Sequence, residues 1–492
     1  MKIINNYIVI LFVSVTMCLT ACQDKYLELT PPSELTEADF YKTAKDMNGA
    51  VLGIYSRYQS ILPRKWTLTE MPSDNLYMTG YHTIGGLDEV NNLAFTADNP
   101  LFNEFWVNLY NGIFRANAVL TYIDNPTDYS ANQKEQLMGE AKFMRALCYF
   151  DLVRMFGDVP NVSTLLSFEE SRTIPRAPKE EVYAAIIDDL TAAIDLLPGR
   201  EDMQTGRASK SAAIALLAKV YVYQEDWANA KVYLDQMPAF NYQLLDDYAS
   251  LWSLENEDNN EIIFAIKYTD GTNGHVLSTD YLPYFGVTDI APRGGEIAFP
   301  TWSLINSFEE GDSRKAATIT EFWKSPVSPP SEPEIWYPYV SKYAVKHTPG
   351  SSGLDLPVLR YAEIILLRAE VLYRLNQPDV ALDELNKIRA RAFRDAAHNY
   401  SLADISDPED FLNVLLHERR VELALENERW FDLVRTGRYM TELTHVDRSY
   451  NYELKTSQVV DLKPAIFHKV FPIPQTQIQQ ANPGVLSQND GY

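Results

Sequence analysis

Apolar residues recur at helical spacing along most of the chain. In Ser209–Met237 they fall at i, i+3, i+4, i+7 and i+8 from Ala213, which places them on one face of a helix. Two acidic residues then break the pattern, and a second amphipathic run begins at Trp227. Tyr361–Ala392 repeats this arrangement, and both segments are typical of tetratricopeptide units, in which a short turn joins two antiparallel helices. Since each such hairpin must bury its apolar face on a neighbour, we expect a stacked helical-repeat scaffold, with Asn132–Leu197 as a third, longer-looped pair.

Helices are also expected outside those pairs. Thr36 and Asp39 resemble a capping box, and the helix that follows them is expected over Phe40–Tyr58. Glu261–Tyr268 differs, because its alternating pattern of β-branched and aromatic residues predicts a strand. The predicted fold class is therefore mainly α with minor β structure. A further single helix is predicted over Asn103–Ile123, and the two helices of the third pair are predicted over Asn132–Met155 and Lys179–Leu197.

Two long segments, residues 62–99 and 270–355, are dense in Tyr, Trp, Asn, Gly and Pro. Long loops without secondary structure of their own are usually either functional or disordered. So many large aromatic residues make disorder the poorer explanation. We therefore expect one domain over residues 36–492, with these two segments as loop insertions.

The N-terminal residues resemble a bacterial lipoprotein signal. A basic Lys2 is followed by an apolar run over Tyr7–Leu19, too short to span a membrane and typical of a secretory signal. The run ends in Leu-Thr-Ala ahead of Cys22, which predicts removal of residues 1–21 and acylation of Cys22. Residues 22–35 would then form a lipidated tether to the membrane. The alternative is an ordinary secretory signal followed by an incidental cysteine.

The net charge argues against one class of function, and the cysteine content argues against a disulfide. The formal net charge of −24 argues against nucleic-acid binding, which needs a basic surface. Of the three cysteines, Cys18 lies in the signal and Cys22 is the acylation candidate, so no disulfide is expected within the folded body. Cys148 lies in an amphipathic helical pattern, where a small buried hydrophobic side chain is the expected role.

The usual sequence signals of catalysis and metal binding are missing. His417-Glu418 lacks the second histidine of a metalloprotease helix, and the chain has no phosphate-binding glycine loop, nucleophile elbow or paired-cysteine site. No cofactor is expected. The acidic run Glu255–Glu261 is interpreted as a solvated turn rather than a cation site. The charged run from Glu418 to Arg429 is interpreted as an ion-pair network with i, i+3/i+4 spacing between stacked helices.

Five motifs, together with the lipoprotein signal, give the chain a family resemblance over nearly its whole length. In this order and spacing it resembles the SusD/RagB family of Bacteroidetes outer-membrane lipoproteins. The motifs are ALCYFDLVRMFGDVP at Ala146–Pro160, GRASKSAAIALLAKVY at Gly206–Tyr221, RYAEIILLRAE at Arg360–Glu370, ERRVELALENERWFDLVR at Glu418–Arg435, and FPIP…NPG…QNDGY at Phe471–Tyr492.

The resemblance implies a tetratricopeptide-like scaffold whose loop-rich face holds the ligand. Members of the family cap a SusC-like TonB-dependent transporter in the outer membrane and deliver nutrients to it, most often oligosaccharides and sometimes peptides. They are not enzymes, and the motifs that carry the resemblance are mainly structural. On this basis we expect a lipid-anchored protein of the outer membrane that faces the cell surface.

Candidate ligand-binding residues come from the two loop insertions. Sugar rings stack their C–H faces on aromatic side chains, and their hydroxyl groups need polar partners at the edge. Each aromatic residue alone is more often used in packing, and Trp302, which opens an apparent helix, is assigned to packing. The candidates are Trp66, Asp74, Asn75, Tyr77, Tyr81 and His82 in the first insertion, and Tyr281, Tyr284, Phe285, Arg293, Trp323 and Trp336 in the second.

The sequence leaves three functions open. The first is a nutrient-binding protein, with a glycan preferred over a peptide because the loops are rich in aromatic residues. The second is a repeat scaffold that holds only a protein partner. The third is a divergent surface glycosidase, for which acidic residues alone give no support.

Overall fold

The computed structural model describes residues 40–78, 80 and 84–492. The predicted signal, Cys22, the whole tether, Thr36 and Asp39 of the predicted capping box, Tyr81 and His82 lie outside these described residues. The longer helices are α1 (Ala44–Ile61), α2 (Pro100–Tyr122), α3 (Gln133–Phe156), α4 (Lys179–Leu196), α5 (Lys210–Tyr223), α6 (Trp227–Leu234), α7 (Tyr361–Arg374), α8 (Pro378–Phe393), α9 (Pro408–Glu422) and α10 (Arg429–Arg435).

The longer helices form a consecutive stack, as the helical-repeat prediction required. Helix α1 packs on α2, α2 on α3, α3 on α4, α4 on α5, and α5 on both α6 and α7. The predicted pairs are present as α5–α6 and α7–α8, and the longer-looped pair is α3–α4. A mainly α, tetratricopeptide-like scaffold is therefore confirmed. Within the described residues, no helix combines the length and apolar character needed to cross a bilayer.

The start of α1 differs from the prediction. The helix begins at Ala44, and Thr43 is its N-cap. The Thr43 hydroxyl accepts from the Asp46 backbone N–H at 3.2 Å, and the Asp46 carboxylate accepts from the Thr43 N–H at 3.0 Å. The helix therefore uses a second capping box a few residues beyond the predicted one.

Strand content is small and arranged in pairs. The strands are β1 (Leu76–Met78), β2 (Ile262–Ile266), β3 (Ala298–Pro300), β4 (Ile319–Trp323), β5 (Ile335–Val340), β6 (Leu356–Arg360), β7 (Val446–Asn451) and β8 (Thr456–Val460). They pair antiparallel as β1–β3, β2–β6, β4–β5 and β7–β8. Strand β2 lies inside the predicted strand segment. Short helices occupy Trp66–Thr69, Leu87–Asn91, Phe168–Ser171, Leu277–Tyr281, Trp302–Ile305, Ser313–Thr318, Tyr439–Glu442 and Gln475–Gln480.

Buried ion pairs hold the C-terminal helices against the rest of the domain. Glu422, the last residue of α9, accepts from Arg391 at 2.6 Å, Arg360 at 3.0 Å and Arg314 at 3.2 Å. The charged run of α9 thus does form a network between elements. Its partners, however, are distant in sequence, and the predicted i, i+3/i+4 spacing does not describe these contacts of Glu422.

The acidic run before β2 is a turn in which Glu255 and Asp258 are exposed, as predicted, while its last residue is buried. Glu261 is fully buried, and its carboxylate accepts from Arg360 at 2.5 Å. Glu257 accepts from the backbone N–H of Asp355 at 2.8 Å. The run therefore ties β2 to the ion-pair network and to the segment before β6.

Cys148 has the structural role expected of it. The side chain is buried in α3, and burial raises the pKa of its thiol far above the usual value. A methyl group added to Gly112 of α2 would come within 2.9 Å of the Cys148 sulfur, which shows how closely the two helices approach. The thiol is thus a packed hydrophobic group at a helix–helix contact.

Candidate ligand-binding site

Aromatic side chains meet in a cleft on the side of the domain that carries the short strands. Strands β1, β3 and β5, the short helix Trp302–Ile305 and the β7–β8 hairpin surround a volume of about 160 Å³. We call it the aromatic cleft, and the rings that line it belong to Tyr77, Phe299, Trp302, Trp336, Tyr337 and Tyr450.

Two stacked pairs of rings, one of which contains Trp336, form a wall and part of the rim of the cleft. Trp302 stacks on Tyr450 with ring centroids 4.0 Å apart and planes 11° apart. Trp336 stacks on Tyr452 at 5.1 Å and 16°. The planes of Trp336 and Tyr450 meet at 72°, so the two stacks stand nearly perpendicular to each other. The Trp336 indole N–H donates to the Tyr450 carbonyl at 3.1 Å, which fixes this angle.

The rim of the cleft is open to solvent. Tyr452 is 42% exposed and Phe322 is 38% exposed, and their rings meet edge to face at 5.2 Å. The Lys455 ammonium lies 3.5 Å from the centroid of the Tyr452 ring. Ligand sites are usually concave and lined by apolar and aromatic side chains. The exposed rings beside this cleft fit that description.

The hairpin that supplies Tyr450 and Tyr452 was not among the predicted elements. The signal was present, since Arg448, Tyr450 and Tyr452 recur at every second position, as on one face of a strand. Tyr450 pairs with Ser457 of β8, and Val446 with Val460. Tyr450 and Tyr452 were not candidates, because the candidates came from the two insertions and these residues lie beyond the second one.

Tyr77 and Trp336 are the two predicted site residues that line the cleft. Tyr77 lies on β1 opposite Phe299 of β3, and burial raises the pKa of its hydroxyl to about 12. Trp302, assigned to packing from the sequence, also lines the cleft and is only half-buried. Trp302 therefore both packs and lines the cleft. One side of its ring stacks on Tyr450, and part of the residue stays exposed.

Five predicted residues of the two insertions are interior instead, namely Trp66, Asp74, Asn75, Tyr281 and Trp323. Trp66 is 1% exposed and Tyr281 is 0% exposed, and their rings lie 5.2 Å apart in the core. The first insertion turns inward after α1 through short helical turns, so its polar residues face the ion-pair network. These two rings have no open face for a ligand, and the expectation that they contact one needs correction.

Asp74 and Asn75 are likewise engaged by the protein itself. Both Asp74 oxygens accept from Arg429 at 2.8 Å, and Asn75 accepts from Arg420 at 2.9 Å. Burial alone would raise the pKa of Asp74, but the Arg420 and Arg429 guanidiniums hold it well below the usual range. Both side chains are structural, which corrects their assignment as ligand contacts.

The remaining candidates form a small patch on the turn before β3. Arg293 lies over the Tyr284 ring at 4.7 Å, and Phe285 beside it is 51% exposed. Trp323 is buried beneath this turn and donates its indole N–H to the Gly286 carbonyl at 3.1 Å. Trp323 also lies 5.0 Å from Tyr337, and so connects the patch to the aromatic cleft. Trp323 itself supports the turn from below and is not open to a ligand.

No group of three or more His, Cys, Asp and Glu side chains suited to a metal ion occurs in the described part of the chain. The residues that line the cleft offer ring stacking together with a few hydrogen-bonding groups.

Comparison with known proteins gives consistent similarities. Residues 319–492 match the model of the SusD family, and residues 25–222 match a model described as starch-binding and associating with the outer membrane. The SusD-like protein P2 of Formosa agariphila is 29% identical, over 87% of this chain and 90% of that protein. The starch-binding protein SusD of Bacteroides thetaiotaomicron is 24% identical, over 86% of this chain and 84% of that protein.

Solved structures agree in fold. A laminarin-binding SusD-like protein superposes with a TM-score of 0.74 at 25% identity, covering 92% of this chain and all of that one. A SusD homologue from Bacteroides thetaiotaomicron superposes with a TM-score of 0.79 at 21% identity, covering 94% and 99%. The second likeness shows the fold alone.

Proposed function

We propose that the chain is a SusD-family nutrient-binding protein that holds an oligosaccharide in the aromatic cleft. The observation that carries the proposal is the pair of nearly perpendicular ring stacks with an open rim. Pyranose rings offer flat C–H faces that stack on such aromatic side chains. The starch-binding and laminarin-binding relatives support a glycan as the ligand.

The Tyr284–Phe285–Arg293 patch extends the proposal beyond the cleft. It is joined to the cleft through Trp323 and Tyr337, and it offers one exposed ring and one guanidinium. A chain of several sugar units could then contact both surfaces. Binding without catalysis is part of this proposal.

The protein without residues 1–22 is expected to bind at least one glycan saturably and to leave its chain length unchanged. Isothermal titration calorimetry against a panel of polysaccharides and a panel of peptides measures the first point, and a reducing-end assay measures the second. Binding to peptides alone would overturn the glycan proposal. New reducing ends would favour the glycosidase alternative.

We further propose that Cys22 is acylated and anchors the protein in the outer membrane beside a SusC-like transporter that receives the glycan. The Leu-Thr-Ala-Cys motif supports the anchor, and the outer-membrane description of the matched family model supports the location.

Replacing Cys22 by serine is expected to move the protein from the membrane fraction to the soluble fraction, because no acyl chain can then attach. Fractionation of the encoding bacterium with an antibody against the protein measures this shift. Pull-down of the wild-type protein from detergent-solubilised membranes is expected to recover the transporter. Cys148→Ser is the matched control, and it should stay in the membrane fraction. Recovery of the wild-type protein without any membrane transporter contradicts the proposed partner.

A further inference from the structure

We propose that Arg448 adapts the aromatic cleft to an acidic sugar unit, one that carries a carboxylate or a sulfate group. The inference rests on the proposed glycan-binding function and deepens it, because it names the class of glycan. It begins with the contacts of a single side chain on β7.

Arg448 has neutral partners only. Its guanidinium donates to the Asn92 side-chain oxygen at 3.2 Å and to the Asn91 carbonyl at 2.8 Å. Within the part of the chain that the structure describes, no carboxylate oxygen lies within 4 Å of it. The neighbouring Asp447 instead accepts from the Ser457 hydroxyl at 2.6 Å. The cleft therefore contains a positive charge that the described residues do not neutralise.

Buried arginines elsewhere in this protein are paired with carboxylates. Arg429 donates to both oxygens of Asp74, and Arg360 donates to both oxygens of Glu426 at 2.7 Å. Such partners hold the pKa of Arg360 well above its usual value, against the effect of burial. The pKa of Arg448 is instead lowered from its usual value. Burial lowers it, and the Tyr77 side chain opposes this effect. Arg448 is thus partly desolvated without the anion that compensates these fully buried arginines, a condition it shares with the half-buried Arg176, whose hydrogen bonds also go to neutral groups.

Partial burial of an unpaired charge is unfavourable, and a ligand that supplies the counter-charge removes this penalty. The planar guanidinium fork matches a carboxylate or a sulfate, which accept two parallel hydrogen bonds. Arg448 is the charged residue among those that line the cleft. Since the whole chain carries a net charge of −24, an acidic glycan needs such a local cation to be held.

The neighbours of Arg448 suit a charged sugar more than a free anion. Tyr450 lies two residues along the same strand, and its ring belongs to the stack with Trp302. A sugar ring on this aromatic wall would bring an acidic substituent alongside the guanidinium. The proposed site thus combines stacking, which any pyranose satisfies, with a charge that selects acidic units.

The test uses pairs of glycans that differ only in charge. Oligogalacturonate is compared with its carboxyl-reduced form, and oligocarrageenan with its desulfated form, by isothermal titration calorimetry on the protein without residues 1–22. The variants are Arg448→Gln and Arg448→Lys, and the matched control is Arg374→Gln, an exposed arginine at the end of α7. The two pairs distinguish a carboxylate from a sulfate as the recognised group.

We expect the wild-type protein to bind an acidic glycan at least about tenfold more tightly than its neutral counterpart, the usual scale of a charge-assisted hydrogen bond. Arg448→Gln should reduce the ratio of the two affinities, acidic form over neutral form, to about one. Arg448→Lys should restore only part of it, since an ammonium lacks the bidentate fork. Arg374→Gln should behave as wild type.

Equal affinity for the charged and neutral forms overturns the inference and leaves the glycan-binding function intact. An equal loss of both in Arg448→Gln also overturns it, because the residue would then be structural. Absence of binding to every glycan in both this test and the wider panel overturns the proposed function together with the inference.

Discussion

Replacing Glu422 by glutamine is expected to lower the free energy of unfolding by about 3–5 kcal/mol, the usual cost of removing one partner from a buried ion pair. The carboxylate compensates three buried guanidiniums, those of Arg314, Arg360 and Arg391. Glutamine keeps the shape of the side chain, removes its charge and replaces one acceptor oxygen with an NH2 donor. Urea unfolding followed by circular dichroism measures the difference.

The pH dependence provides an internal check on this prediction. Burial alone would raise the pKa of Glu422, but the arginines overcome it and hold the pKa below its usual range. The ionised carboxylate therefore stabilises the fold fully above the unfolded-state pKa of about 4.3, and this contribution is lost as the pH falls below that value. Wild type and Glu422→Gln should converge in acid, because a protonated glutamate resembles glutamine.

Glu409→Gln is the matched control on the same helix. Glu409 pairs with Arg438 at the surface, and its side chain is 62% exposed. An exposed ion pair contributes little, so the change should stay within about 1 kcal/mol. A loss at Glu422 no larger than the loss at Glu409 would contradict the structural role assigned to the buried network.

Replacing Trp336 by alanine is expected to weaken glycan binding about 30-fold or more, equivalent to about 2 kcal/mol, as for the central aromatic residue of a binding site. Trp336 touches both ring stacks, since it pairs with Tyr452 and meets Tyr450 at a steep angle. Its loss removes one stacking surface and frees the other to move. Calorimetric titration with a glycan found in the panel measures the effect.

Loss of binding must be separated from loss of fold. Trp227→Ala provides the control, because Trp227 on α6 is half-buried and its ring contacts Arg374 instead of the cleft. Tyr452→Ala changes an exposed rim residue, should leave the melting temperature nearly unchanged, and should still weaken binding. If Trp336→Ala and Tyr452→Ala both bind as wild type, the ligand lies elsewhere on the molecule.

Helices α2 to α8 could be predicted within a few residues of their ends. Helix α4 was expected over Lys179–Leu197 and runs over Lys179–Leu196, and α7 begins at Tyr361 as expected. This success has a local cause, since an amphipathic helix records its buried face in the spacing of its own residues. Helix α1 was expected from Phe40 and instead begins at Ala44, where Thr43 and Asp46 form the capping box.

The binding surface was harder to predict, because a ring stack joins residues that are distant in the chain. Trp302 and Tyr450 come from different elements, and neither was a candidate. Trp66 and Asp74 were candidates by composition, and the fold turned them inward against Tyr281 and Arg429. Whether an aromatic or acidic residue faces solvent depends on long-range packing, which a single segment does not encode.

The amino-acid sequence determined the helix pairs, the family and the expected export signal, since each depends on a local pattern or on motif order. The arrangement of charge and aromatic surface depends on the folded chain. Arg360 and Arg448 are both arginines on short strands, yet only Arg360 has carboxylate partners among the described residues. Three-dimensional packing brings acids to one and aromatic rings to the other. One arginine therefore stabilises the fold, while the other is left with a charge that a ligand can neutralise.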